Sequence, residues 1–113
     1  MKLELRSKGV PMTEGLRAFI ERKLRFAMGR FAHRIQRVRV RLTDVNGPRG
    51  GEDIECHIRA HLGAAGSFSI HELERDTFAA VSRASERAHQ QLARQLERKR
   101  KDHRQHLPVP SIE

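Results

Sequence analysis

Tryptophan and tyrosine are absent from this 113-residue chain, and phenylalanine occurs only five times. So few rings argue against a platform that stacks several bases, and for contact with the backbone and shape of a nucleic acid. A single cysteine, Cys56, excludes an internal disulfide framework and suits a reducing, cytoplasmic setting. It reads as a small core residue rather than a reactive thiol. No apolar run approaches the ~20 residues needed to span a bilayer, and the opening MKLELRSKG lacks the apolar core of a secretory signal. Acidic residues are the minority, 14 against 23 Lys and Arg, for a formal charge of +9. Such a field draws in polyanions and speeds encounter with them. Nucleic acid is the first candidate, an acidic protein the second, and a membrane surface the weakest. The length suits one domain with a modest core.

Periodicity supplies the elements. Lys2 to Lys8 alternates, with Leu3 and Leu5 on one side and Lys2, Glu4 and Arg6 on the other, as in a short strand. Thr13 is a good N-cap, and Leu16, Ile20, Leu24, Ala27 and Phe31 recur at helical spacing, predicting a helix over about 13–30 with Gly29 near its end. Val38, Val40 and Leu42 alternate with Arg37, Arg39 and Arg41. Beyond a Gly-rich turn at Asn46–Gly51, Ile54, Cys56, Ile58, Ala60 and Leu62 alternate with Glu55, His57, Arg59 and His61. Phe68 and Ile70 mark a fourth, short strand. Asp76 caps a long helix running to Lys101, and residues 102–113, with Pro108 and Pro110, read as a loose tail after a single domain over 1–101.

The order β-α-β-β-β-α, with every element apolar on one side, implies an α+β fold. It is a two-layer sandwich: a four-stranded mixed sheet with both helices on one face. The first crossover should be right-handed and leave strands one and two parallel. Two basic surfaces result. On the long helix, Phe78, Val81, Ser85, Ala88, Leu92 and Leu96 form a docking stripe, while Arg83, Arg87, Gln90, Arg94, Arg98 and Lys101 project from the reverse side. Guanidinium forks one turn apart suit a line of phosphates. On the open face of the sheet, Arg37, Arg39, Arg41, His57, Arg59 and His61 stand together, although like charges opposite one another cost stability.

Other constellations are weaker. His57 and His61 share one strand face, but four residues of strand place them roughly 13 Å apart, too far for one metal ion. No metal or other cofactor is expected. Ser67, Ser69 and His71 lack the orienting partner that a nucleophile needs. Glu72 and Glu74 are the one acidic cluster, suited to repelling misplaced RNA or to starting the long helix.

These residues resemble a known family. The opening MKLELRSKGVPMTEGLRAFIERKLRF is similar to that of ribosome hibernation promoting factors and ribosome-associated inhibitor proteins, with Thr13, Glu14, Leu16, Arg17, Phe19, Ile20 and Lys23 in register. A second signature fits Asp76, Ala79, Ala80, Val81, Gln91 and Leu92, followed by Arg94, Arg98, Lys99, Arg100 and Lys101. Phe78 replaces the family's Tyr, Ser82 its Asp and Gln90 its Arg, as in a divergent branch. The resemblance implies a non-enzymatic translation inhibitor whose fold is like a double-stranded-RNA-binding domain with an added strand. It would bind small-subunit rRNA in the messenger and transfer RNA channel during stress or stationary phase. It places basic contacts on Arg22, Lys23, Arg87, Arg94, Arg98 and Lys99. Arg83, Lys101 and the sheet residues Arg37, Arg39, Arg41 and Arg59 would assist. The family's long form has a C-terminal domain that pairs ribosomes. This short form is not expected to pair them alone, so a companion pairing factor is a further candidate partner. Regulation of a transcription factor of the sigma type and free double-stranded-RNA binding are the alternative functions.

Overall fold

The computed structural model describes the backbone of residues 1–45 and 53–106, and side chains among these up to Arg98. The Asn46–Gly51 turn and the end of the tail lie outside the described residues. The element order is β1 (Lys2–Lys8), α1 (Glu14–Met28), β2 (Arg37–Asp44), β3 (Ile54–His61), β4 (Ser67–Glu74) and α2 (Thr77–His106). The strands lie side by side in sequence order, with β1 parallel to β2 and the other pairs antiparallel. This is the mixed sheet expected from the alternating patterns.

Local chemistry sets the element ends. The Thr13 hydroxyl accepts the Leu16 N–H at 3.1 Å, satisfying one of the donors left over at the start of α1. The Asp76 carboxylate accepts the Ala79 N–H at 2.9 Å and does the same for α2. Gly29 follows α1 in ordinary right-handed conformation, φ −59°, so it is not a left-handed stop. The chain instead tightens into a 3-10 segment, Gly29–Arg34, kinked at Phe31. At the β3–β4 turn Gly66 adopts φ +93° and ψ −151°, a conformation that side chains strongly disfavour.

One apolar layer holds the two halves together. Val38, Val40 and Leu42 of β2 and Cys56, Ile58 and Ala60 of β3 face Ile20, Leu24 and Met28 of α1 and Ala80, Val81, Ala84, Ala88 and Leu92 of α2, all essentially inaccessible to water. Burial pushes the Cys56 thiol up to about 12, with Glu55 and Glu72 adding to the effect, so the group is an inert core residue as expected.

Three readings are corrected. Phe78, placed on the docking stripe, is 46% exposed, because α2 buries Ala80 and Ala84 beside the rest of that stripe and so centres its inner face away from residue 78. β4 is a full eight-residue strand, so Glu72 and Glu74 belong to it and not to the start of α2. The long helix continues through His106, five residues past Lys101. Nothing between Asp102 and His106 breaks a helix, and the first breaker is Pro108. The central strand carries much of the packing, so Ile58→Ala should lower unfolding stability by about 2–5 kcal/mol in urea titration, with the slope unchanged.

Candidate nucleic-acid interface

α2 lies along the edge strand β4 and runs against it. Three polar links stitch the pair. Arg83 reaches Glu74 at 2.8 Å, and Arg87 donates to Glu72 at 2.6 Å and to the His71 carbonyl at 3.0 Å. Further along, the Gln95 amide donates to the carbonyls of Ala65 (2.9 Å) and Ser67 (3.2 Å). Glu72 and Glu74 fall on the same strand face as Phe68 and Ile70, so they point toward the helix layer and need cations there. Arg83 and Arg87 therefore fold back onto β4 rather than projecting freely from the reverse side of α2.

Arg94 and Arg98 behave differently. Both are exposed, and among the described residues no ion pair engages them. The side chains of Lys99 and Lys101 lie outside the described set, although both residues continue the same helix. On α1, Arg22 and Lys23 gather at one ring, with the guanidinium 5.8 Å and the ammonium 5.7 Å from the Phe19 centroid. Phe19 in turn meets Phe78 of α2 edge-on, centroids 4.8 Å apart. Eight residues further along α1, the Ala27 carbonyl is 2.6 Å from His89 Nδ1. The two helices thus run side by side in the same direction.

The open face of the sheet is the second basic surface. Cross-strand register sets Arg39 directly opposite Arg59, Arg41 opposite Arg6 and His57, and Arg37 opposite Lys2 and His61. Glu4 offsets part of this charge, with Arg39 at 3.2 Å and Arg37 at 3.7 Å, and the Arg39 hydrogen bond holds its carboxyl below the usual range. Arg59 donates to the Ser69 hydroxyl at 3.1 Å. Arg39, Arg41, Arg59 and His57 line a shallow depression of about 70 Å³. The strands bring His57 against His71, not His61: the two rings stack at 4.1 Å, 10° from parallel. Glu55 lies 3.5 Å from His71. Among the described residues, no group of three or more His, Cys, Asp or Glu side chains could hold a metal ion.

Sequence reasoning did not anticipate three features. Phe26 is 90% exposed; it falls off the Leu16–Ile20–Leu24–Ala27 stripe, which is the signal that could have marked it. The His57–His71 stack follows from β3–β4 register, which a single strand pattern does not reveal. The Arg83 and Arg87 ion pairs were foreshadowed by Glu72 and Glu74 continuing the period-two face of Phe68 and Ile70.

A mixed sheet with both helices on one side and cations on both outer surfaces defines a basic α+β binding module. Residues 3–100 match the family described as "Sigma 54 modulation protein / S30EA ribosomal protein", and the chain belongs to that family of ribosome-associated modulation factors. The fold is similar to that of the Thermus thermophilus Protein Y N-terminal domain. That match has 23% identity and TM-score 0.70, covering 83% of this chain and 98% of that one. It is also similar to a ribosomal subunit interface protein from Coxiella burnetii, with 15% identity, TM-score 0.70, and coverage of 83% and 96%. Among curated protein sequences none matches. No helix among the described residues is long and apolar enough to cross a membrane.

The His57 imidazole is held below its ordinary value of 6.5, first by desolvation and then by His71, with Arg41 and Arg59 adding and Glu55 opposing. A histidine whose folded pKa is lowered leaves the unfolded state with more bound protons. His57 therefore withdraws stability as pH falls below about 6.5 toward its folded value. NMR titration should show the His57 ring protonating below 6.5; a midpoint at or above that value would contradict the stacked, partly desolvated arrangement.

Proposed function

We propose that this chain is a non-enzymatic translation inhibitor. It binds rRNA of the small ribosomal subunit within the channel for messenger and transfer RNA, in the cytoplasm of stressed or stationary-phase cells. The reading rests chiefly on one observation: Arg22 on α1 and Arg94 and Arg98 on α2 are exposed and, among the described residues, held by no ion pair. Lys23 stands beside Arg22, and Lys99 and Lys101, whose side chains lie outside the described residues, are added from the sequence. These groups clamp phosphates and position the protein, with little sequence preference. Arg83 and Arg87 contribute less than their spacing suggests, since each already holds a carboxylate.

Two basic surfaces on opposite sides of a two-layer body favour a cleft with phosphate on both walls over a flat surface or an isolated duplex. Arg37, Arg39, Arg41 and Arg59 face the second wall. The sheet face also supports a second reading, in which it docks an acidic protein of the sigma-factor type. The depression among Arg39, Arg41, His57 and Arg59 is the feature that favours it. A companion factor that pairs ribosomes is a further proposed partner.

Co-sedimentation with purified ribosomes tests the first reading. The triple change Arg22→Glu, Arg94→Glu, Arg98→Glu should abolish sedimentation at low salt while the circular dichroism and melting temperature stay put. Each single change to Gln should flatten the dependence of log affinity on log salt by about 0.7–0.9, and Arg83→Gln should do less. Retention of the triple variant by ribosomes would remove the helix surface from the mechanism. A pull-down that survives RNase but fails on Arg39→Glu with Arg59→Glu would favour the acidic-protein reading. Bare duplex RNA bound as tightly as ribosomes would point to a free duplex binder.

A further inference from the structure

We infer that the groove between α1 and α2 receives one unstacked nucleobase of the bound RNA, with Phe26 as its stacking surface and Ser85 and Gln90 at its edge. The inference rests on the RNA-binding reading above and adds a base contact to what is otherwise backbone recognition. The groove measures about 250 Å³ and is mostly apolar, with Phe26 and Ala27 on the α1 wall and Ser82, Ser85, His89 and Gln90 on the α2 wall. Small residues at 27, 82 and 85 leave its floor open.

Two independent features point to a ligand there. Phe26 is 90% exposed in a helix whose other large apolar groups are buried or half-buried. Its ring face is available where solvent would ordinarily select a polar side chain. Ser85 is the opposite case: it is 2% exposed, it lines the groove, and its hydroxyl has no hydrogen-bond partner. Buried polar groups are almost always paired, so a buried, unpartnered hydroxyl on the groove wall beside an exposed aromatic ring marks a place for a flat, polar-edged group. Gln90 adds a donor and an acceptor at the same groove. His89, with Nδ1 on the Ala27 carbonyl, is left with Nε2 as an acceptor in its neutral form.

Electrostatics separates base from phosphate. Glu86 lines the groove and would repel a phosphate inside it, yet it accepts readily from an exocyclic amino group. Lys23 also lines the groove, with its ammonium held near Phe19, placed to meet the phosphate of the nucleotide whose base enters. A lipid headgroup or an acidic peptide would bring its negative charge against Glu86. An unpaired base brings none.

The absence of Trp and Tyr makes the test direct, because Phe26→Trp creates the chain's only strong fluorophore. The full chain carrying that change is titrated with a single-stranded hexaribonucleotide and, at the same salt, with the matching abasic sugar-phosphate chain. Quenching by the base-bearing strand alone is expected. Phe26→Ala should weaken binding of the hexaribonucleotide about tenfold with the salt dependence unchanged, since no phosphate contact is lost. Ser85→Ala should alter the ranking of adenine, cytosine, guanine and uracil oligomers. Equal quenching by the abasic strand, no response to either strand, or a Phe26→Ala variant of unchanged affinity would overturn the inference. If the Phe26→Trp chain sediments with ribosomes but its fluorescence does not respond, the groove is excluded and the ribosome reading stands. If the oligomer quenches it while ribosomes ignore it, the groove stands and the ribosome reading falls.

Discussion

The alignment of α2 along β4 fixes which cations this protein can spend on a partner. Edge strands expose unpaired backbone, and inward-pointing charge beneath a covering helix is one way of keeping that edge from pairing with another chain. Here Glu72 and Glu74 supply the inward charge, and Arg87 and Arg83 answer it. Each pair is partly solvated, with the arginines half exposed or more, so each contributes only about 1 kcal/mol or less. Their value is geometric. With Gln95 held on the carbonyls of Ala65 and Ser67, three points along α2 are tied to one strand, and the rotation of the helix about its axis is set. That rotation sends Ser85 and His89 toward α1 and leaves Arg94 and Arg98 facing water.

The open face of the sheet shows the opposite balance. Arg39 against Arg59 and Arg41 between Arg6 and His57 are repulsive neighbours, with Glu4 and Glu55 as partial relief. The sheet tolerates this because the other side of the same strands is sealed: Val38, Val40, Ile58 and Ala60 have almost no contact with water. Apolar burial of one face thus underwrites charge crowding on the other. Two stacked imidazoles within that field are compatible only while at least one is neutral, which the lowered His57 pKa provides. A polyanion laid across this face would relieve the repulsion, so binding there would be coupled to stability through the same arginines.

Much of the architecture was legible because period-two and period-3.6 patterns are strong here. Val38-Val40-Leu42, Cys56-Ile58-Ala60 and Leu16-Ile20-Leu24 each announce an inward face, and Thr13 and Asp76 announce helix starts. What escaped was side-chain traffic between elements. Arg83 and Arg87 read as outward arms because a helix considered alone does not show that a neighbouring strand carries carboxylates on its inner face. Phe78 read as core because it shares helical spacing with Val81 and Ser85, yet the fully buried alanines at 80 and 84 shift the centre of the docking stripe away from it. Phe26 was passed over for a related reason: reading periodicity for residues that fit a face overlooks the large apolar residue that falls off it.

The distribution of tied and free groups gives the molecule a division of labour. Near the β4 edge, arginines are committed to internal carboxylates and act as structure. Between the helices, small side chains, an exposed ring and an unpaired hydroxyl make a mostly apolar slot bordered by Lys23 and Glu86. Beyond the level of His89, α2 carries Arg94 and Arg98 clear of those carboxylates, on a helix that spans about 45 Å from end to end at 1.5 Å per residue. A polyanion approaching the helix layer would therefore meet charge first at Arg94 and Arg98, where, among the described residues, no ion pair competes. On the proposed reading it would meet the slot only after its backbone is held. Electrostatic capture followed by a single local base contact requires no general sequence code, and it suits a protein with many guanidinium groups and few rings.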